Sequence, residues 1–136
     1  MKRLIYHSYG VDDLSQDAVF DIVSGSAHRN GALGLSGFLL YQNGCFLQLL
    51  EGDAAAVDAL YAKVRQDPRH HSVETLFETA ISAKSFDMWR MKRIASGNVA
   101  QVINTLCAHS LGPLPKSELA VITRFVQKNQ AAAVAG

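Results

Sequence analysis

The sequence predicts an α+β fold: a ferredoxin-like five-stranded sheet with two helices on one face and two C-terminal helices packed on the other. Two observations lead there. Up to Ile94 the apolar residues switch between strand-like and helix-like periodicity in the order strand, helix, strand, strand, helix, strand, strand. That order suits a split βαβ sheet with both helices on one face. After Gly97 only helical periodicity remains, over two segments apolar enough to cover the face that would otherwise be bare.

Each element has a local reason. Arg3 to Ser8 reads as a strand, because Leu4, Ile5 and Tyr6 favour extended backbone and Gly10 ends the run. Asp12, Asp13 or Ser15 offers an N-cap, after which Leu14, Ala18, Val19, Ile22 and Val23 recur at helical spacing. This helix is expected to run to about Asn30, with Gly31 and Gly34 bracketing its end. Leu35 to Tyr41 is the second strand, Asn43-Gly44 a tight hairpin turn, and Cys45 to Leu50 the returning strand. Glu51-Gly52-Asp53 is read as breaking that strand and capping a helix whose buried stripe is Val57, Leu60, Tyr61 and Val64. Asp67-Pro68 stops this helix. Val73 to Ser82 and Phe86 to about Ile94 are the fourth and fifth strands, separated by the turn Ala83-Lys84-Ser85. Val99, Val102, Ile103 and Leu106 mark one terminal helix, and Leu119, Ile122, Phe125 and Val126 the other. Gly112-Pro113-Leu114-Pro115 forms a stiff turn between them.

Composition narrows the function classes. A chain of 136 residues, 49% hydrophobic and 18% charged, is a globular domain that needs no disulfide or metal to fold. A formal net charge of +1, with acids and bases interspersed, speaks against nucleic-acid binding through a basic face. No apolar stretch approaches the ~20 residues that span a bilayer, and the N-terminal run is too short for a signal peptide. Cys45 and Cys107 lack CxxC spacing and read as reduced thiols of a cytoplasmic protein. Adjacent His70 and His71 have no third ligand at usual spacing, so no metal site is expected. GxGxxG, GxxxxGK[ST] and GxSxG motifs are absent, and no Ser/His/Asp arrangement stands out.

A few residues stand out from the filler. Gln48 interrupts the apolar strand Phe46-Leu47-Gln48-Leu49-Leu50, and alternation puts it on the face of Phe46 and Leu50. An unpaired buried amide costs about 1–3 kcal/mol, so it needs partners. Tyr6 lies in what would be a central strand, and its hydroxyl has the same need. Asn30 ends the first helix, and Trp89 and Met91 share a face if residues 86–94 are extended. Taken singly, each has a plainer reading: a structural glutamine, a packing tyrosine, a C-cap asparagine, a core tryptophan and methionine.

Together they resemble one family. Leu4-Ile5-Tyr6-His7-Ser8, Gly34-Leu35-Ser36-Gly37-Phe38-Leu39-Leu40-Tyr41, Gly44-Cys45-Phe46-Leu47-Gln48-Leu49-Leu50-Glu51-Gly52, Asp67-Pro68-Arg69-His70 and Phe86-Asp87-Met88-Trp89-Arg90-Met91 are similar, in order, to segments of the BLUF domain, the blue-light sensor using FAD. The resemblance implies a photosensor over residues 1–96 and a two-helix extension over 97–136, of the short stand-alone type. It implies that FAD is held without covalent attachment, its ring inserted between the first two helices. Tyr6 and Gln48 are then the photoactive pair. Ser8, Arg29, Asn30, Asp67, Arg69 and His70 join them around the cofactor, with Asn30 on the N3/O4 edge of the ring. Trp89 and Met91 line the Tyr–Gln side and carry the signal. Three positions depart from the family's usual residues: Ala27, Arg29 and Lys84. Tyr6, Gln48 and Asn30 are kept.

The family's chemistry suits a primary amide, which has one acceptor and two donors and can present either end to a flavin edge. Light-driven electron and proton transfer from the tyrosine through the glutamine, followed by its reversal, leaves an oxidised flavin with a different hydrogen bond and a small red shift. The expected output is contact with a downstream signalling protein or a change of homo-oligomeric assembly. Two other functions suit the same sheet: an interaction module without flavin, and an acylphosphatase-like hydrolase, against which the missing phosphate loop argues.

Overall fold

The computed structural model describes residues 1–10, 34–89, 92–94 and 98–135, the side chains of Arg93 and of residues 130–135 excepted. The helix expected over residues 14–30, with Arg29 and Asn30, lies outside the described residues, as does Met91. The described elements are β1 (Lys2–Gly10), β2 (Ser36–Gln42), β3 (Cys45–Gly52), α1 (Ala54–Val64), β4 (His70–Ala80), β5 (Lys92–Ile94), α2 (Val99–His109) and α3 (Lys116–Ala135). The strands are ordered β4-β1-β3-β2-β5. β1 pairs antiparallel with both β3 and β4, β2 pairs antiparallel with β3, and the short β5 runs parallel to β2.

Both faces of the central strands are buried, which is why their sequences are nearly continuous apolar runs rather than alternating ones. Leu4, Tyr6, Leu39, Phe46 and Leu50 point to one face and pack with Val57, Leu60 and Tyr61 of α1. Ile5, Phe38, Leu40, Leu47 and Leu49 point to the other, where they pack with Val102 and Leu106 of α2 and Ile122, Phe125 and Val126 of α3. The alternation is the period of two that an extended backbone imposes.

The β2–β3 turn follows its sequence signal. Asn43 and Gly44 both have positive φ, 48° and 80°, and Gln42 pairs with Cys45 across a two-residue loop. Several strand boundaries differ from expectation, three of them near the site or the sheet edge. β4 begins at His70 rather than Val73, because His70 and His71 pair with Gly10 and Tyr9. β3 does not break at Glu51: that residue pairs with Arg3 and Ser36, and the strand continues to Gly52. Among the described residues the fifth strand is Lys92–Ile94. Phe86 to Trp89 instead forms a turn closed by the Trp89 amide donating to the Phe86 carbonyl at 2.9 Å. The reason is burial. Phe86 and Trp89, three apart, both enter the cluster below α2 and α3, whereas an extended backbone would send them to opposite faces. The turn leaves Met88 outside, at 84% exposure.

Gly37 is where β2, β3 and this turn meet. Its φ is +151°, and a Cβ there would lie 1.8 Å from the Leu49 carbonyl oxygen. Its amide also donates to the Trp89 carbonyl at 2.8 Å. Gly37→Ala is therefore expected to destabilise the fold by about 3 kcal/mol or more, strain and displaced strand pairing together. Urea unfolding that matches the unsubstituted protein would contradict this account.

Candidate functional site

The register of β1 against β3 places Tyr6 directly opposite Gln48. Both side chains sit on the α1 face and are almost fully buried, at 3% and 5% exposure. The Tyr6 hydroxyl donates to Gln48 Oε1. With its oxygen facing the tyrosine, the amide turns its two N–H donors elsewhere. The surroundings are apolar: Leu4, Leu39, Phe46 and Leu50 belong to the same cluster. In such surroundings hydrogen bonds are stronger and a lost partner is costly.

The Tyr6 ring lies 5.2 Å from the ring of Tyr61 in α1 and meets His70 edge-on at 6.4 Å. Tyr61 is held in turn by a 2.7 Å hydroxyl–hydroxyl bond to Thr75 of β4, and the Arg65 guanidinium sits 4.7 Å above its ring. Ser8, two residues along β1 from Tyr6, is buried and lies 2.7 Å from His70 Nδ1. His70 Nε2 is 2.6 Å from the Val64 carbonyl at the end of α1. A carbonyl only accepts, so Nε2 carries a proton. In the neutral ring Nδ1 is then the acceptor for the Ser8 hydroxyl. This chain ties β1 to the C-terminal end of α1.

Asp67 and Arg69 occupy the loop between α1 and β4. Arg69 Nη2 reaches Asp67 Oδ2 at 2.5 Å, Nε reaches both carboxylate oxygens, and the Arg69 backbone amide donates to Oδ1 at 2.9 Å. The Arg69 side chain, reinforced by its backbone amide, lowers the Asp67 carboxyl from an ordinary 3.8 to about 2. The pair closes the loop that delivers His70.

The structure thus brings together Tyr6, Ser8, Gln48 and His70, with Asp67 and Arg69 in the adjoining loop. Trp89 is elsewhere. The resemblance placed it on the Tyr–Gln side, but its ring stacks on Phe86 at 5.1 Å, meets Phe38 at 6.4 Å and lies 5.1 Å from His109 of α2. It belongs to the apolar cluster on the opposite face, a consequence of the turn at 86–89. Sequence reasoning missed Tyr61 as a neighbour of Tyr6; its place in the helical stripe gave its burial but not its contact across layers. It also missed buried Arg3, Glu51 and Glu118. The available signal was two charged residues in apolar strands, Arg3 beside Leu4 and Glu51 beside Leu50. Among the described residues no group of His, Cys, Asp and Glu is arranged to hold a metal ion.

The chain is similar to known proteins. The family model described as sensors of blue-light using FAD matches residues 1–92. Subunit beta of a photoactivated adenylate cyclase from Euglena longa is 39% identical over 86 residues, 63% of this chain and 10% of that protein. The blue light- and temperature-regulated antirepressor BluF of Escherichia coli (strain K12) is 35% identical over 86 residues, 63% of this chain and 21% of that protein. The chain therefore spans a tenth to a fifth of the length of these relatives. In fold, Klebsiella pneumoniae BlrP1 with FMN and cyclic diGMP superposes with a TM-score of 0.83 at 23% identity, over 93% of this chain and 34% of that one. The buried tyrosine–glutamine pair thus stands within a sequence match that covers most of the chain: it belongs to the BLUF family, the sensors of blue light using FAD.

Proposed function

We propose that this chain is a blue-light photoreceptor in which Tyr6 and Gln48 register light through a rearranged hydrogen bond. The observation that carries the reading is the Tyr6 hydroxyl donating to Gln48 Oε1 inside an apolar layer. The donor set fits a flavin: a buried amide with two N–H groups matches the nitrogen and carbonyl edge of an isoalloxazine, and the apolar layer matches its ring faces. Tyr6, Ser8, Gln48 and His70 would hold the cofactor from the sheet side, with Asp67 and Arg69 near the end of α1. Arg29 and Asn30 would complete the set of residues that binds the cofactor.

A bound flavin supplies the blue-light absorption and an excited-state electron acceptor. The protein's part is proton and hydrogen-bond management. Tyr6 gives up an electron and its hydroxyl proton and then recovers both. Gln48 Oε1 is the acceptor already aligned for that proton. When the proton returns, Gln48 would keep a rearranged amide and so offer a bound flavin a different hydrogen-bonding group. Residues 1–96 are then the sensor, residues 97–136 the output extension, and Trp89 and Met91 the signalling residues beside it. The chain is not itself an enzyme in this reading. It acts in the cytoplasm by contact with a downstream protein or through a homo-oligomer.

Purified protein should be yellow and show a small, reversible red shift in blue light. Tyr6→Phe and Gln48→Ala should each abolish the shift, and a normal shift in both would sink the mechanism. Chromatography of the cofactor released on denaturation should give FAD; FMN would change the assignment of the polar loop residues. The Asp67–Arg69 pair adds a pH prediction. Because the folded carboxyl titrates near 2 rather than 3.8, its stabilisation is complete above about pH 4 and lost as pH falls toward about 2. Asp67→Asn should flatten the stability–pH profile across that window, read by thermal unfolding.

A further inference from the structure

A second buried polar cluster lies across the sheet from Tyr6 and Gln48, on the same two strands. Arg3 of β1 is the cross-strand partner of Glu51 of β3, three positions along from Tyr6 opposite Gln48. An odd separation along a strand places the two pairs on opposite faces. Arg3 is 4% exposed, and Glu51 and Glu118 are fully buried. Arg3 Nη1 donates to both Glu118 oxygens at 3.0 Å, Nη2 lies 3.1 Å from Glu51 Oε2, and Nε donates to that same oxygen at 3.2 Å. Nη2 also donates to Ser85 Oγ at 2.6 Å. Glu51 further accepts from Ser36 Oγ at 3.2 Å and from the backbone amides of Ser85 at 3.1 Å and Phe86 at 2.5 Å. Glu118 stands in the first turn of α3.

One guanidinium thus serves two carboxylates, one on the central strand pair and one on the terminal helix. Neutral donors complete the shell of Glu51, while among the described residues Arg3 is the side chain bonded to Glu118. Such a buried cluster adds little stability over apolar packing, and α3 already buries Ile122, Phe125 and Val126. What the cluster adds is a fixed relation between β1, β3, the backbone at residues 85–86 and the start of α3.

We propose that Arg3, Glu51 and Glu118 couple the hydrogen-bond state of the Tyr6–Gln48 pair to the position of α3. The inference rests on the photoreceptor reading. A change at Gln48 shifts β3 against β1, and the shift alters how Arg3 divides its donors between Glu51 and Glu118. Sharing one cation makes the two carboxylates respond oppositely: a tighter grip on one loosens the other. The first turn of α3 and the 85–86 backbone, which leads to Trp89, then move together. The three residues are positioning residues that contact neither Tyr6 nor Gln48 in the hydrogen bonds described above.

The test is light-minus-dark hydrogen exchange over residues 116–126 in flavin-loaded full chain, with the absorbance shift recorded on the same sample. The unsubstituted protein should show a light-induced change of about threefold or more in this segment. Glu118→Gln, which keeps shape and removes charge, should keep the absorbance shift and lose the exchange difference. Glu118→Asp should restore part of it, and Leu119→Ala, which weakens α3 packing outside the cluster, should keep it. An exchange difference that survives in Glu118→Gln overturns the coupling. So does a Glu118→Gln protein whose dark exchange is already at the light level, since the residue then only anchors the helix. If Glu118→Gln does not fold, Arg3→Lys is read by the same criteria. Absence of any absorbance shift in the unsubstituted protein would remove the photoreceptor reading and the coupling with it, whereas a normal shift with unaltered exchange removes the coupling alone.

Discussion

The register of β1 against β3 is the constraint on which the rest depends. It sets Tyr6 against Gln48 on one face and Arg3 against Glu51 on the other. Side chains alternate with a period of two, so a slip of one residue would exchange the faces. The amide would then lie under α2 and α3, and the guanidinium under α1. Apolar residues on both faces do little to forbid such a slip, because Leu, Ile and Phe occupy either side. The polar pairs forbid it, since each would be buried without its partner. The hairpin fixes β2 against β3 through Asn43 and Gly44, and Gly37 lets the two strands approach where a Cβ would collide.

That constraint also explains why one hydrogen bond can matter. In water, exchanging one amide bond for another is almost neutral. Inside the layer of Leu4, Leu39, Phe46 and Leu50, a donor turned away from its acceptor has no water to replace it. The amide therefore has a small number of satisfied arrangements instead of a continuum. Tyr61 and His70 flank Tyr6, and each is held by a bond of its own, to Thr75 and to the Val64 carbonyl. A phenol held on both sides keeps its hydroxyl aimed at Gln48, which is the preorganisation that the proposed proton movement needs.

Much of this was legible in the chain. The Asn43-Gly44 turn, the stripes Val57-Leu60-Tyr61 and Ile122-Phe125-Val126, and the face shared by Phe46 and Gln48 all follow from local periodicity, because one dominant signal decides each. Glu51 and the segment 86–89 were misread for a common reason. A carboxylate next to Gly52 looks like a strand end, and Phe86 through Ile94 looks extended, as long as only neighbours in sequence are considered. The deciding partners are distant: Arg3 and Ser36 for Glu51, and Phe38 and His109 for Trp89. Local pattern cannot report a guanidinium contributed from β1 or a ring contributed from α2. The same holds for Glu118, which reads as an ordinary acidic residue in a helix's first turn until Arg3 is placed beside it.

The placement of Trp89 changes which segment the two C-terminal helices pack against. Trp89 touches α2 through His109, and Arg3 touches α3 through Glu118. These look like separate contacts, one aromatic and one ionic, yet Glu51 joins them. Its carboxylate binds Arg3 with one oxygen and the Phe86 amide with the other, and Phe86 closes the turn that ends at Trp89. Leu111, in the link between the helices, donates its amide to the Ser85 carbonyl, so that link is pinned to the same short segment. A chain of bonds and ring contacts therefore runs from Glu51 to α2, α3 and their connection. That chain of contacts does not include β5, which among the described residues meets β2 over three positions. The two terminal helices are in this sense tied to one short segment, which the β3 residue beside Leu50 holds through the Phe86 amide.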